Sequence, residues 1–263
     1  MLLSSDALFA SANASVHFAL HCLEPTPDGN LRATSSFVDP EGEAMLWHDF
    51  GPLEGPGWAA NAVGGAHLLY RWGTRWSGYL GDAGIQEQAL RLVDHVLNDG
   101  FLQPAGLILP YWHTVEQRFC LNYTHNDDWL CPGSLANIGV QMLELARDMS
   151  ARSAVLTQTA HRLADWLADH VPLLDSGWTP RRITVEGAAY LLSPHGEPDP
   201  IYDHSADGLF LLRLWAMTGN LDLALTLGDA FVQAGGLWGS INHDTFDDHE
   251  NVAYACAFRI LRQ

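Results

Sequence analysis

Apolar residues recur at helical spacing through most of the chain, in stretches that come in pairs. Gly57 to Trp72 places Trp58, Ala62, Ala66, Leu69 and Tyr70 near one face, and Ile85 to Leu97 does the same with Ile85, Ala89, Leu92, Val93 and Val96. Ser134 to Met149 carries Leu135, Ile138, Met142, Leu145 and Met149, followed by Val155 to Val171 with Leu156, Ala160, Leu163, Leu167 and Val171. A third pair runs from Asp207 to Met217 and from Leu221 to Ala234, with the turn Thr218-Gly219-Asn220 between them. One helical stretch stands alone at each end, Ser5 to Leu23 and Glu250 to Leu261. Gly100, Gly177 and Gly236 follow the second stretch of each pair, where a glycine suits a left-handed cap.

The segments between pairs read differently. Arg32 to Val38 and Glu43 to Trp47 flank the turn signal Asp39-Pro-Glu-Gly42. Leu107 to Leu109 and Arg118 to Tyr123 form a second candidate β-hairpin, and Arg182 to Val185 with Ala189 to Leu192, across Glu186-Gly187, a third. These connections have similar lengths, Leu23 to His48, Phe101 to His125 and Trp178 to Asp203, while the last, Leu237 to His243, is short and has no hairpin.

Paired helices joined by hairpin-bearing connections predict an all-α fold of the α/α-toroid type, a barrel of helical hairpins with about eight main helices. The short β-hairpins would gather on one face, and residues 1–263 would make a single toroid domain. The two lone terminal helices would pack together to close the ring. Eight helices make a small ring, so an open ring, or one completed by a second subunit as a homo-oligomer, is also compatible with the pattern.

Composition narrows the partners. With 31 acidic residues against 13 basic ones the formal charge is -18, which argues against nucleic acid or an anionic membrane. Every basic residue is Arg, so Schiff-base and phosphate-loop lysine chemistry are excluded. No glycine-rich dinucleotide fingerprint and no Gly-x-Ser-x-Gly elbow is present, and no cofactor is expected. No apolar run is long enough to cross a membrane, and Met1 to Cys22 lacks the marks of a secretory signal, so the expected location is cytoplasmic. Cys22, Cys120, Cys131 and Cys256 show no pairing or metal-binding pattern and suit reduced, buried thiols.

The chemistry that remains is carboxylate, imidazole and indole. Four clusters stand at the ends of the connections: Trp47-His48-Asp49, His125-Asn126-Asp127-Asp128-Trp129, Tyr202-Asp203-His204, and His243-Asp244 running into Asp247-Asp248-His249-Glu250. A repeated fold unit would carry them to the same end of the molecule. Ordinary roles compete at each. Asp247-x-x-Glu250 has the spacing of a capping box, and Asp203 also suits a helix cap. A single His is more often structural than catalytic, and a single Trp more often core than platform. Asp127-Asp128 is harder to explain away, because Cys131-Pro132 already marks the following helix start. His48-Asp49 likewise precedes its helix by the segment Gly51 to Pro56. Gly64-Gly65 inside a helix suggests close approach of a neighbouring helix or a ligand. Flat aromatic faces ringed by carboxylates and imidazoles match a sugar, whose C–H face stacks and whose hydroxyls donate. Crowded acids also push some of their pKa values apart, which glycosidic chemistry needs.

The segments Gly57-Trp-Ala-Ala-Asn-Ala-Val-Gly-Gly-Ala66, Asp127-Asp-Trp-Leu-Cys-Pro-Gly133 and Asp203-His-Ser-Ala-Asp-Gly-Leu209 resemble hairpin elements of α/α-toroid carbohydrate-active enzymes, such as unsaturated glucuronyl hydrolases and glucuronyl epimerases. The resemblance implies a site on the hairpin face that uses acid/base Asp and His without a redox cofactor. The expectation is therefore acid–base chemistry on a saccharide or uronate, of hydrolase, lyase or epimerase type. Asp127 or Asp128 is the principal acid/base, Asp49 and Asp203 are carboxylate partners, and His204 shares the catalytic role. Trp47, His48, Trp58, Trp112, His125, Trp129, Tyr202 and His243 would bind the small-molecule or oligosaccharide substrate, and no metal site is expected. Alternatives are a terpenoid-cyclase-like enzyme with an Asp acid in an aromatic cavity, a metal-dependent enzyme using the His-Asp clusters, and a non-catalytic sugar-binding protein.

Overall fold

The computed structural model describes residues 4–33, 38–43, 45, 52–80, 84–124, 129–190 and 208–234. The chain folds as two compact units, one of Met1–Leu102 with Leu109–His125, the other of Gln103–Ile108 with Asn126–Gln263.

In the first unit, α1 (Ser5–His21) begins at Ser4, whose Oγ accepts the Ala7 amide at 3.2 Å as an N-cap. Strands β1 (Leu23–Pro25) and β2 (Leu31–Ala33) follow as an antiparallel pair, with Leu23 opposite Ala33. Two more short strands frame the rest of the unit, β3 (Leu53–Glu54) before the helical hairpin and β4 (Tyr111–His113) with β5 (Arg118–Cys120) after it. The hairpin is α2 (Ala62–Leu80) and α3 (Gly84–Asn98), and α3 buries the stripe Ile85, Ala89, Leu92, Val93 and Val96 that its periodicity predicts. Gly73 lets the two helices approach, since a Cβ there would lie 3.0 Å from Gln86 Cγ. Gly65, by contrast, meets nothing within 4 Å. Helix α1 lies on the hairpin through Val16 and Leu20, which pack on Leu69, Ile85 and Ala89, and through Phe9 stacked 5.8 Å from Trp72.

The second unit holds α4 (Pro132–Asp148), a short 3-10 turn at Ser150–Arg152, α5 (Ser153–His170), α6 (Gly208–Thr218) and α7 (Leu221–Gln233). Pro132 opens α4 where its missing N–H costs nothing. The stripe Leu135, Ile138, Met142, Leu145 and Met149 is buried, as is its counterpart Leu156, Ala160, Leu163, Leu167 and Val171. Gly139 brings α4 against α6, because a Cβ there would fall 2.8 Å from Leu214 Cδ1. Trp215 is buried in the same contact layer and donates its indole N–H to the Ala164 carbonyl of α5 at 3.2 Å.

The connections are built from one repeated device. In Thr26–Asn30, Asp39–Glu43, Gln103–Leu107, Leu174–Trp178 and Thr184–Ala188 the first amide donates to the last carbonyl, and the glycine amide donates back to the first carbonyl. Gly29, Gly42, Gly106, Gly177 and Gly187 all take positive φ, from 77° to 107°. This is the three-residue hairpin loop that ends in a glycine bulge.

The strand partners differ from the expectation in two connections. Arg32 pairs backward with Glu24 across the Thr26–Asn30 turn; the expected Asp39–Glu43 turn also forms, and most of the residues expected to pair across it lie outside the described residues. Arg118–Cys120 pairs with Tyr111–His113, while Leu107 closes the tighter turn from Gln103. The third hairpin matches, with Tyr190 donating to the Arg182 carbonyl. Gly100 sits at positive φ just beyond α3 as a cap should, but Gly177 does not cap α5. That helix stops at Val171, which is extended because Pro172 follows, and Gly177 serves the turn after it. Gly236, the helix at Glu250 to Leu261 and its pairing with α1 lie outside the described residues.

Candidate functional site

Of the residues assigned to the site, Trp47, His48, Asp49, His125, Asp127, Asp128, Tyr202, Asp203, His204 and His243 lie outside the described residues, and Trp58, Trp112 and Trp129 lie within them. The described chain beside the first two clusters shows how their flanks are held.

Within the first unit, the chain that follows Asp49 in sequence forms β3 and pairs antiparallel with β4, Leu53 opposite His113 and Glu54 opposite Trp112. The attachment extends past the strand at both ends, through Thr114 N–H to the Pro52 carbonyl and Gly57 N–H to the Pro110 carbonyl, each 2.8 Å. Gly57 is required there, since a Cβ would lie 2.3 Å from the Tyr111 ring. Trp58 comes next, 43% exposed, with Tyr123 edge-on at 5.3 Å. Just before His125, the buried Asn122 accepts the Thr124 amide at 2.9 Å and its hydroxyl at 2.6 Å, an Asx turn that fixes the chain. Trp112 is half-buried and packs edge-on against Phe119 at 4.8 Å.

Within the second unit, Trp129 follows directly on Asp128. It is buried, at 4% exposure, and the Arg182 guanidinium lies 5.1 Å from the centre of its ring. The same guanidinium lies 5.2 Å from the Tyr190 ring, so the cation is held between two aromatic faces. Leu130 and Ile183 exchange both backbone hydrogen bonds, at 2.7 and 3.0 Å, and Ile183 also bridges to Ala189. The two units therefore repeat one arrangement. The clusters that end at Asp49 and Asp128 are each followed by one or two residues in β-pairing with the hairpin of the next connection, and then a helix begins. Strands of one or two residues have no readable alternation, so only the tertiary structure reveals them.

A buried ionic group in the first unit also escaped the sequence reading. Glu54 is 2% exposed, and its Oε2 lies 3.5 Å from His95 Nε2 and 3.6 Å from Arg32 Nε. His95 Nδ1 contacts the Asp99 carboxylate, and Arg32 also pairs with Glu24 at 3.0 Å. Burial pushes the His95 imidazole down, but hydrogen bonding and charge from Glu54 and Asp99 outweigh it and raise its pKa above the ordinary value. Nearby, the Thr26 hydroxyl lowers the Asp28 carboxyl, and burial, with Asp39 behind it, pushes the Cys22 thiol up. A groove of about 440 Å³ between α1, β2 and the start of α2 is lined mainly by apolar side chains, among them Val16, Leu23, Leu69 and Leu92. Among the described residues no group of three or more His, Cys, Asp or Glu is arranged to hold a metal, and no helix is long and apolar enough to cross a membrane.

No protein-family model matches the chain, and no curated protein matches it. Among solved structures it is similar to Rex8A from Paenibacillus barcinonensis complexed with xylose, at 13% identity and a TM-score of 0.43, over 82% of this chain and 54% of that one. A Rex8A mutant complexed with an arabinofuranosyl-xylotetraose gives the same values. A reducing end xylose-releasing exo-oligoxylanase is similar at 13% identity and a TM-score of 0.44, over 82% of this chain and 54% of that one. The chain thus spans about half the length of these structures. At these TM-scores the likeness adds nothing to the helical hairpins already described.

Proposed function

We propose that the protein is a carbohydrate-active enzyme that performs acid–base chemistry on a saccharide or uronate, with Asp127 or Asp128 as the principal acid/base. Asp49 and Asp203 are the carboxylate partners in this reading, and His204, His48, His125 and His243 orient the substrate or transfer protons. Trp47, Trp58, Trp112 and Tyr202 supply stacking faces. Trp129, being buried, serves by anchoring the segment that carries the two aspartates.

The observation that carries the reading is the paired backbone bond between Leu130 and Ile183, beneath which Arg182 lies against Trp129. A catalytic carboxylate works only when held near its productive geometry, and rigid flanks supply that. An ordinary surface loop needs no such anchor two residues past its acidic pair. The hairpin that provides it leads on in sequence to Tyr202-Asp203-His204, which supports a common site for these two clusters.

The test is to replace Asp127 and Asp128 by Asn, singly and together, and assay the variants on a panel of neutral and uronate oligosaccharides. New reducing ends report hydrolysis, ultraviolet absorbance of an unsaturated product reports elimination, and solvent deuterium at C5 reports epimerisation. Loss of the general acid/base should reduce turnover by about 10²–10⁴-fold in at least one single variant. An active double variant with unchanged circular dichroism would sink the assignment.

A further inference from the structure

The buried Glu54–His95–Asp99 group lies in the first unit and has no part in the acid–base reading above. His95 sits on the last turn of α3, 6% exposed, with the Phe101 ring edge-on at 5.4 Å. Both of its ring nitrogens face carboxylate oxygens, Nδ1 towards Asp99 Oδ2 and Nε2 towards Glu54 Oε2 at 3.5 Å. A neutral imidazole carries one proton. It can serve one of these carboxylates, and it then presents a lone pair to the other. Only the doubly protonated ring satisfies both. Neither Glu54 Oε2 nor His95 Nε2 makes a hydrogen bond among the described residues, so charge attraction, between the two and from Arg32 to Glu54, is what offsets their burial.

The charges around the imidazole favour its proton. Glu54 reaches it from β3 and Asp99 from the end of α3. Asp28, on the turn between β1 and β2, is in hydrogen-bonding reach of Asp99. Arg32 on β2 is shared between Glu54 and Glu24, and Arg91, one turn earlier on α3, donates instead to the Gly29 carbonyl at 2.8 Å. Four carboxylates therefore surround two guanidinium groups and one imidazole.

We propose that His95 is a pH-sensitive pin that, while protonated, holds β3 against α3. β3 has only two residues, Leu53 and Glu54, and its backbone pairs with β4, so the Glu54 side chain is its tie to the helix. Loss of the proton leaves a ring that can donate to only one of the two carboxylates and removes the charge that attracts the buried Glu54, so that tie weakens. The sign follows from linkage. A group whose folded pKa is raised stabilises the fold fully below its unfolded value, about 6.5 for His, and the stabilisation is lost as pH rises through the folded value.

The test is ring-nitrogen NMR of the full chain between about pH 5 and 9, with His95 assigned by through-bond correlation to its own backbone, together with amide hydrogen exchange. The imidazole should titrate above about 6.5, and E54Q should lower its midpoint. Exchange at Leu53, Glu54 and Trp112, corrected for its intrinsic rise with pH, should accelerate through the same midpoint. A midpoint at or below about 6.5, a midpoint unmoved in E54Q, or protection at β3 that stays flat through the His95 titration would each overturn the proposal. The wild-type titration stands even where a variant fails to fold.

Discussion

Gly106 and Gly187 carry a steric demand that the other three hairpin-loop glycines, Gly29, Gly42 and Gly177, do not share. Both take positive φ, and a Cβ at either would lie 2.6 Å from a backbone carbonyl oxygen, of Arg162 and His170 respectively. Gly29 has the same conformation but open space around it. Alanine at Gly29 should cost only the left-handed strain, roughly 1–2 kcal/mol. Alanine at Gly187 should cost more, because the helix carbonyl against it cannot swing aside as a side chain could. Urea denaturation of G29A and G187A checks this, and equal losses would show that the α5 contact yields easily. The left-handed glycines were visible in the sequence at Asp39 to Gly42 and at Glu186-Gly187, where turn residues stand together. Their close contacts were not, since Arg162 and His170 are set against them only by packing.

The helices follow from local pattern alone. Buried stripes at three- and four-residue spacing match the expected faces of α3, α4 and α5, because burying such a stripe is what stabilises a helix of this length. The strands behave in the opposite way. Leu130 forms a β-bridge because Ile183 is beside it, and the Arg182 guanidinium lies over the buried Trp129 ring. Replacing Arg182 by Met keeps the stem and removes the cation, which should lower stability by about 2 kcal/mol if the desolvated cation–π contact is intact. It should also speed amide exchange at Leu130 and Ile183 relative to α4. If exchange rises equally along the unit, the cation supports global folding and does not specifically tether that bridge.

Across the molecule, a formal charge of -18 with no lysine sets a field that no local contact removes. Self-repulsion of that size should make the fold more stable as salt screens it, so the thermal midpoint should rise between about 0.01 M and 1 M sodium chloride, where the screening length falls from roughly 30 to 3 Å. A falling midpoint would mean that ion pairs such as Arg213 with Glu144 outweigh the net charge. The chain also settles part of its own architecture without help from tertiary contacts. Helix positions and the glycine turns of the connections are written in residues close together in sequence, where periodicity and allowed φ act directly. Strand partners, the Trp129–Arg182–Tyr190 sandwich and the Glu54–His95–Asp99 group join residues far apart. No local pattern encodes such meetings, because the energy that fixes them exists only once the helices have packed and water has been excluded.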